Sequence, residues 1–240
     1  MRIRHLFTLL LAFSGLQYAV AADDFPTIRP TASFVNDNGV EEESTNFSGS
    51  APLVAHFRAN PSNVGSYSAT YEWRFTHEGE DSPYLIRYEE DTDYTFTEAG
   101  SHSIELWAYF VQGNDTIAFA DEYWSETGAF TVSISESKLE MPNAFSPNGD
   151  GINDVYKAKE GYQSLVEFKA AIYNRWGQKL YEWDDPAGGW DGTFQGKGVR
   201  QGVYFVQVRA KGADGRKYNI RRDVNLLRGY NENTSSTAEQ

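Results

Sequence analysis

Apolar and polar residues alternate with a period of two along the first half of the chain, and this alternation restricts its fold more than any other feature. Tyr71, Trp73 and Phe75 fall on one face of an extended strand, and the charged residues between them fall on the other. The segment Ser103–Phe110 repeats this pattern, whereas no segment of this half shows a convincing helical period. The alternation predicts β-strands that bury one face and expose the other.

Other short apolar segments are separated by turn residues. Glycine, proline and asparagine stand between them, as at Pro61–Asn63 and Gly113–Asn114. The further candidate strands are 27–35, 53–58, 94–97, 116–120 and 130–135. Aromatic residues make up 15% of the chain and favour strands. Several short strands with turns between them predict an all-β sandwich.

The N-terminus carries the three consecutive parts of a secretory signal peptide. Arg2 and Arg4 form a basic region, an apolar run follows over residues 6–13, and Ala19-Val20-Ala21 has the small residues that signal peptidase accepts. We expect cleavage after Ala21, so that residues 1–21 are removed. The apolar run is well short of the roughly 20 residues that a membrane span needs. No later segment is long enough either, so no transmembrane span is predicted.

Charge divides the rest of the chain into two parts. Residues 22–137 contain 21 acidic and 4 basic residues, a net charge of −17, whereas residues 138–240 contain 13 acidic and 15 basic residues, a net charge of +2. This asymmetry predicts two domains with different surroundings. Nucleic acid is not an expected partner, because the acidic domain would repel its phosphates. The chain has no cysteine, which excludes thiol nucleophiles and cysteine-based zinc sites.

Three segments of the acidic part resemble the PKD-domain pattern. They are Ser50–Ala59, Tyr71–Phe75 and Thr95–Leu106. The resemblance covers about residues 26–137. It implies an immunoglobulin-like sandwich of the kind found in extracellular adhesins and as spacers in exported enzymes. Residues 22–137 are therefore expected to form a PKD-like domain.

The part after residue 138 contains a series of motifs in a fixed order. It opens with LEMPNAFSPNGDGINDVY at 139–156, and VEFKAAIYNRWGQKLYE follows at 166–182. The remaining motifs are GWDG at 189–192, GVYFVQV at 202–208 and RRDVNLLR at 221–228. Together they resemble the gliding motility-associated C-terminal domain, which is the type B sorting domain of type IX secretion, over residues 139–228. Independently of the resemblance, apolar alternation in the second and fourth motifs predicts another small β-sandwich. The glycine in Arg175–Gln178 predicts a turn that joins two strands, and GWDG predicts a packed Trp190 beside a tight turn.

The resemblance implies a route and a destination for the chain. Such a domain is recognised by the type IX translocon of the outer membrane and an associated outer-membrane partner protein, after the signal peptide has brought the chain to the periplasm. The implied location is the cell surface or the medium. The expected organisation is a signal peptide at 1–21, two consecutive immunoglobulin-like antiparallel β-sandwiches at 22–137 and 138–228, and a disordered tail at 229–240.

The loop over residues 148–154 is rich in side-chain oxygens and is the candidate metal site. The candidate calcium ligands are Asn148, Asp150, Asn153 and Asp154. Their spacing differs from that of an EF-hand, because Ile152 occupies a position where a ligand would be expected. The alternative is a glycine-rich turn whose side chains bond their own backbone. No other cofactor is predicted.

No arrangement of catalytic residues is recognised in the sequence. The carboxylates that could pair for acid–base chemistry are Glu89, Glu90, Asp91 and Asp93, but a solvated loop also explains them. The histidines His56, His77 and His102 lack metal-motif spacing, and no nucleophile elbow occurs. We therefore predict a non-enzymatic surface or secreted protein whose acidic domain binds a glycan or a protein. The alternatives are a structural accessory of the secretion or surface apparatus, and an exported hydrolase with an unrecognised site.

Overall fold

The computed structural model describes residues 2–3, 25–36 and 39–228. Strands predominate among the described residues and the one helix described there is short, so the predicted all-β sandwich class is confirmed. Apart from residues 2–3, the predicted signal peptide lies outside the described residues, and so does the predicted tail at 229–240. Within the described ranges, no helix is long and apolar enough to cross a membrane.

The chain divides into two compact units. The first unit comprises Met1–Ser48, Leu53–Thr95 and Ser101–Ser133, and the second comprises Gly49–Pro52, Phe96–Gly100 and Ile134–Gln240. The last division falls close to the step in charge near residue 137. The predicted domain limits, 22–137 and 138–228, stay a prediction about which pieces fold independently.

The first unit is built from two sheets and a helix. Its strands are β1 (Arg2–Ile3), β2 (Thr31–Val35), β3 (Glu41–Glu43), β4 (Asn46–Gly49), β5 (Leu53–Arg58), β6 (Ser68–His77), β7 (Leu85–Arg87), β8 (Thr92–Phe96), β9 (Gly100–Gln112), β10 (Asp115–Phe119) and β11 (Phe130–Ile134), and its helix is α1 (Asp121–Thr127). One sheet has the order β1-β10-β9-β11-β4, with β6 pairing β9 and β7 pairing β6. The other sheet has the order β3-β2-β5-β8.

Aromatic side chains from the two sheets meet in the core of the first unit. Phe57 of β5 lies 5.5 Å, between ring centroids, from both Trp73 and Phe75 of β6, and all three are fully buried. The period-two pattern of β9 is also confirmed, because its inward residues Ile104, Leu106, Ala108 and Phe110 are fully buried. These contacts between facing sheets make the unit a sandwich.

The helix α1 has no counterpart in the sequence predictions. It is seven residues long and buries one side chain, Trp124, whose indole N–H donates to the carbonyl of Leu106 at 2.7 Å. One buried residue creates no helical period, so the helix left no signal that periodicity could detect.

The second unit is built around a single larger sheet. Its strands are β12 (Ala144–Phe145), β13 (Leu165–Tyr173), β14 (Lys179–Trp183), β15 (Thr193–Phe194), β16 (Lys197–Gly198), β17 (Gly202–Gly212) and β18 (Lys217–Leu226). The order in the five-stranded sheet is β12-β18-β17-β13-β14, and β15 and β16 form a separate two-stranded hairpin. The short β12 pairs parallel with β18, and the other neighbours in the large sheet are antiparallel.

The five-stranded sheet buries one face against chain that is mostly irregular. Ile172, Val208 and Leu226 represent its buried face. The same core contains Tyr156 and Trp190, which lie outside the named strands. The sandwich of the second unit therefore has one regular layer and one layer made largely of loops.

Candidate functional site

One carboxylate closes the loop over residues 148–154. Asp154 Oδ1 accepts the backbone N–H groups of Asn148 at 2.9 Å and Gly149 at 2.7 Å, and Oδ2 accepts that of Gly151 at 2.8 Å. These bonds, chiefly those from Gly149 and Gly151, hold the pKa of Asp154 below its ordinary value. Gly149 and Gly151 have φ angles of 82° and 83°, in the region that glycine adopts without strain.

The remaining candidate calcium ligands lie in the same loop. Asp150 Oδ1 accepts the backbone N–H of Ile152 at 2.9 Å, and Oδ2 accepts the side-chain amide of Asn148 at 2.9 Å. Asn148 Oδ1 accepts the backbone N–H of Asp150 at 3.0 Å, and Asn153 has a φ of 52°. Such bonds are those expected of the turn alternative. Among the described residues, no group of three or more His, Cys, Asp or Glu is placed to hold a metal, and calcium binding at Asn148–Asp154 stays an untested alternative to the plain turn.

An arginine just beyond the last strand donates hydrogen bonds to three backbone carbonyls from two parts of the second unit. Arg228 donates from Nη2 to the carbonyl of Gly192 at 2.8 Å, from Nε to that of Val199 at 3.0 Å, and from Nη1 to that of Pro147 at 3.3 Å. A guanidinium suits this task because it has five donors in a fixed plane. Arg228 thus joins the chain before the 148–154 loop to the β15–β16 region.

The GWDG motif has the structural role that its sequence indicates. Trp190 is fully buried, and its indole N–H donates to the carbonyl of Thr193 at 2.7 Å. Gly192 has a φ of 77°, and a Cβ there would lie 3.0 Å from Pro147 Cγ. A Cβ on Gly189 would lie 2.5 Å from the carbonyl oxygen of Tyr156. The two glycines therefore allow close approach of backbone around the tryptophan.

The other face of the five-stranded sheet is exposed and rich in basic side chains. Its exposed basic residues are Lys169, Lys179, Arg209, Lys211, Lys217 and Arg221, and its exposed acidic residues are Glu167, Glu182 and Asp223. These nine side chains carry a net charge of +3 and are called the basic face below. Glu182 pairs with Lys179 at 2.9 Å and with Lys169 at 3.1 Å.

A turn at one end of this sheet presents a tryptophan to solvent. Trp176, between β13 and β14, is 78% exposed, and the Arg175 guanidinium lies 4.8 Å from the centre of its ring. The sequence predicts a turn at Arg175–Gln178 but does not indicate that Trp176 is exposed. The signal that could have found it is a large aromatic residue where turns usually place glycine, asparagine, aspartate or serine.

In the first unit, the candidate acidic residue Asp93 belongs to a surface network. Its Oδ1 lies 2.7 Å from His56 Nδ1 and accepts a hydrogen bond from Arg58 Nη1 at 2.9 Å. The His56 hydrogen bond is the main reason that the pKa of Asp93 lies below its ordinary value. Ser33 stands opposite His56 in the neighbouring strand, but its hydroxyl donates to the carboxylate of Glu41.

Two of the other carboxylates in this loop also hold the local chain. Asp91 Oδ1 accepts the backbone N–H of Ala59 at 3.0 Å. Glu89 Oε1 accepts the hydroxyl of Thr92 at 2.6 Å. These bonds hold the loop before β8 in place, so Glu89 and Asp91 have a structural role.

The fold defines the class of the protein, which has two β-sandwich units. Residues 139–221 match the family model of the CHU_C type IX secretion signal domain, which confirms the resemblance predicted for this part of the chain. The domain indicates type IX secretion cargo and implies export to the cell surface or secretion. The PKD-like resemblance of the first unit is consistent with its sandwich fold and stays a prediction. None of the curated proteins matches the chain.

Three solved structures show distant similarity to the chain. SGBP-B of the Bacteroides ovatus mixed-linkage glucan utilization locus, in complex with a mixed-linkage heptasaccharide, is 15% identical with a TM-score of 0.28, over 85% of this chain and 48% of its own. Dimeric latent PorU from Porphyromonas gingivalis is 14% identical with a TM-score of 0.26, over 90% of this chain and 22% of its own. A tetra-tandem repeat from the extending region of a large adhesion protein is 10% identical with a TM-score of 0.28, over 85% and 68%. The chain thus spans about half the length of the first of these proteins.

Proposed function

We propose that this chain is a non-enzymatic exported protein that passes through the periplasm and crosses the outer membrane by the type IX translocon. Its acidic first unit binds a glycan or a protein outside the cell, and its second unit is the address that the translocon and its outer-membrane partner protein recognise. The observation that carries the proposal is the type IX secretion signal domain at residues 139–221, which lies in a unit with its own buried core.

The first unit supports a binding role through an exposed aromatic residue in an acidic loop. Tyr88 is 73% exposed, and the neighbouring Glu89 and Glu90 are exposed as well. A phenol ring beside hydrogen-bond acceptors suits the apolar face and the hydroxyl groups of a sugar, or a polar protein surface. The high negative charge of residues 22–137 favours neutral or cationic ligands over anionic ones.

A non-enzymatic role is supported by the use that the acidic loop makes of its carboxylates. Asp91 holds a backbone N–H, and Asp93 is shared between His56 and Arg58. A general acid or base needs a carboxyl group that faces bound substrate in a suitable geometry. Because the carboxylates of Asp91 and Asp93 already bond to neighbouring groups, they are better suited to holding the loop in place than to transferring protons to a substrate.

The export half of the proposal is tested by cell fractionation. The full chain and a version that ends after residue 138 are expressed in a bacterium with a working type IX system and in a strain that lacks the translocon. We expect the full chain on the surface or in the medium of the first strain alone, and the shortened chain in the periplasm of both. Export of the shortened chain, or of the full chain without the translocon, would contradict the proposal.

The binding half is tested with the exported protein on glycan arrays and against surface extracts of the same bacterium. A ligand is expected whose binding falls when Tyr88 is replaced by alanine. Val40→Ala is the matched control, because Val40 is also exposed in the first unit, at 54%. Equal loss of binding in both variants would mean that Tyr88 is not part of the binding surface.

A further inference from the structure

Hydrogen bonds hold the backbone of the turn between β13 and β14, which carries the exposed tryptophan. Asn174 Oδ1 accepts the backbone N–H groups of Trp176 and Gln178, each at 3.0 Å. The Asn174 side-chain amide donates to Gln178 Oε1 at 2.9 Å, and the backbone N–H of Gly177 donates to the Asn174 carbonyl at 3.0 Å. The turn backbone is therefore preorganised, and a partner has to order only the side chain of Trp176.

Arginine and tryptophan together make this turn suitable for binding. Arg175 lies over the ring of Trp176, and both residues are exposed. Tryptophan and arginine are enriched among the few residues that carry most of the binding energy at protein interfaces. An indole that is 78% exposed contributes little to the core, so its stability role is small. We call Arg175 and Trp176 the turn patch.

The turn patch continues into a shallow depression at the same end of the sheet. Arg175 lines this depression together with Tyr173, Phe205 and Arg221. Phe205 is 43% exposed and stands opposite Tyr173 in the neighbouring strand. Apolar rings here are thus bordered by charged residues, arginines and Asp223, which is the arrangement of an apolar centre with a charged rim.

The charge of the surroundings identifies the chemistry of the partner. The basic face carries a net charge of +3, and Arg175 raises this to +4. A partner with an acidic surface is therefore favoured. Three carboxylates lie among the cations of the basic face, and they would repel a uniformly anionic polysaccharide or lipid surface. A protein, whose charges are themselves mixed, fits this pattern better.

We infer that the turn patch and the adjoining basic face are the docking surface for an acidic surface of an outer-membrane protein of the type IX machinery, with Trp176 inserted into an apolar pocket of that protein. This inference rests on the proposed function, because it assigns the recognition step to a particular surface of the second unit.

The inference is tested by export of the full chain with single changes in this surface. In a bacterium with a working type IX system, Trp176→Ser should lower the ratio of exported to periplasmic protein by at least about tenfold, as expected for the loss of an interface anchor. Arg175→Glu combined with Arg221→Glu should have a similar effect. The controls are Val40→Ser, which makes an exposed apolar residue of the first unit polar, and Lys197→Glu, which reverses an exposed charge on β16. Both controls should be exported within about twofold of the unchanged chain, because they alter exposed side chains away from the proposed interface.

The outcomes separate this inference from the proposal on which it rests. If the unchanged chain stays in the periplasm, the proposed function fails. If the unchanged chain is exported and the turn-patch variants are exported equally well, the proposed function stands and the docking surface is wrong. Thermal unfolding of the purified full-length variants checks that Trp176→Ser retains the midpoint of the unchanged protein, as its exposure requires.

Photo-crosslinking identifies the class of partner. With benzoylphenylalanine in place of Trp176, the full chain should crosslink in cells to an outer-membrane protein of the type IX machinery. The crosslink should disappear when Arg175→Glu and Arg221→Glu are added. Crosslinks to polysaccharide or lipid alone, or a protein crosslink that is unchanged by the charge reversals, would overturn the inference.

Discussion

In the first unit, Phe57 of one sheet packs against Trp73 and Phe75 of the other, so regular strands supply both walls of the core. In the second unit, one wall is the five-stranded sheet, whereas the other includes Tyr156 and Trp190 from outside the strands. Strands keep their side chains in register through the backbone ladder. Loops need individual ties instead, and the second unit supplies them through glycine contacts and the hydrogen bonds of Arg228.

Separation of the two units tests this comparison with the largest expected effect. Residues 22–137 and 138–240, produced as separate chains, should each unfold in a single cooperative transition, because each part has its own core. Circular dichroism melts provide the measurement. Absence of a cooperative transition in both pieces would show one shared core. Compared with its stability in the full chain, the C-terminal piece should lose more than the N-terminal piece, because it lacks segments 49–52 and 96–100 of the second unit.

Loss of the loop-borne tryptophan should severely destabilise the second unit. Trp190→Ala removes a fully buried indole, and we expect a loss of about 3–5 kcal/mol in the free energy of unfolding. Denaturant titration of the full chain should show the change in the transition of the second unit, whereas Trp73→Ala should act on the first. Trp183→Phe is the matched control. The buried Trp183 indole N–H has no hydrogen-bond partner among the described residues, so this change should cost only packing, and less than Trp190→Ala because a ring remains in the core.

Replacement of Arg228 should cause the next largest loss of stability. Arg228→Met keeps the length of the side chain but removes its bonds to three carbonyls, with an expected cost of about 2–4 kcal/mol. Arg221→Met, on the exposed basic face, should stay within about 0.5 kcal/mol of the unchanged protein. Denaturant midpoints of the full chain decide the result. Equal effects of the two substitutions would mean that water satisfies the three carbonyls as well as the Arg228 guanidinium does.

A pair of glycines distinguishes backbone strain from crowding. Gly192 and Gly196 have φ angles of 77° and 74°, but only Gly192 is close to other atoms where a Cβ would stand. Gly196→Ala should cost about 1–2 kcal/mol from backbone strain. Gly192→Ala should cost about 1–3 kcal/mol more, because the new methyl group meets Pro147 and Leu226. The difference between the two melting midpoints measures how tightly the loop layer is packed. Equal values would indicate that the neighbours of Gly192 shift to make room for the methyl group.

The smallest effect is expected at the 148–154 loop and depends on pH. The folded-state pKa of Asp154 lies below its ordinary value of 3.8, so its contribution to stability is present at neutral pH. It is lost as the pH falls through the lower, folded-state value. Asp154→Asn should therefore lower the melting midpoint at pH 7 and have a smaller effect near pH 3. A penalty that is the same at both pH values would mean that the charge is not what the backbone N–H groups stabilise.

The effect of calcium on stability distinguishes the two interpretations of the same loop. If the loop is only a turn, several millimolar calcium should leave the melting midpoint of the chain unchanged relative to chelator, and this is the outcome we expect. A calcium-dependent rise that Asp150→Ala abolishes would instead establish the predicted calcium site, because a ligand that binds the folded state alone stabilises it by mass action.

Periodicity predicted the part of the fold in which strands make the core. Leu106 and Phe110 of β9 are buried as their alternation requires, since side chains of a strand point to opposite faces in turn. The loop layer of the second unit has no such period, so Tyr156 and Trp190 could be connected with the sheet only through the family resemblance. Arg228 binds backbone carbonyls, which every residue has, and therefore no pattern of partner residues indicates its role.

The candidate surface was harder to predict than the fold. The motif at 166–182 predicted the turn at Arg175–Gln178 but not the exposure of Trp176, because tryptophan is usually buried and its orientation depends on tertiary packing. The basic face required the strand register, which places Arg221 beside Gln207 and Arg209 beside Lys169. Composition alone gave residues 138–240 a charge of only +2 and did not show where the cations gather.

The strand order of the second unit places its beginning next to its end. β12, the first strand, pairs with β18, the last, through Ala144–Asn225 and Phe145–Leu226, and Arg228 lies just beyond. β12 therefore cannot pair with β18 until residues 225 and 226 have been synthesised. A chain that premature termination ends before these residues lacks this pairing, however intact its earlier part. The folded state of the second unit thereby depends on translation having reached the end of its last strand.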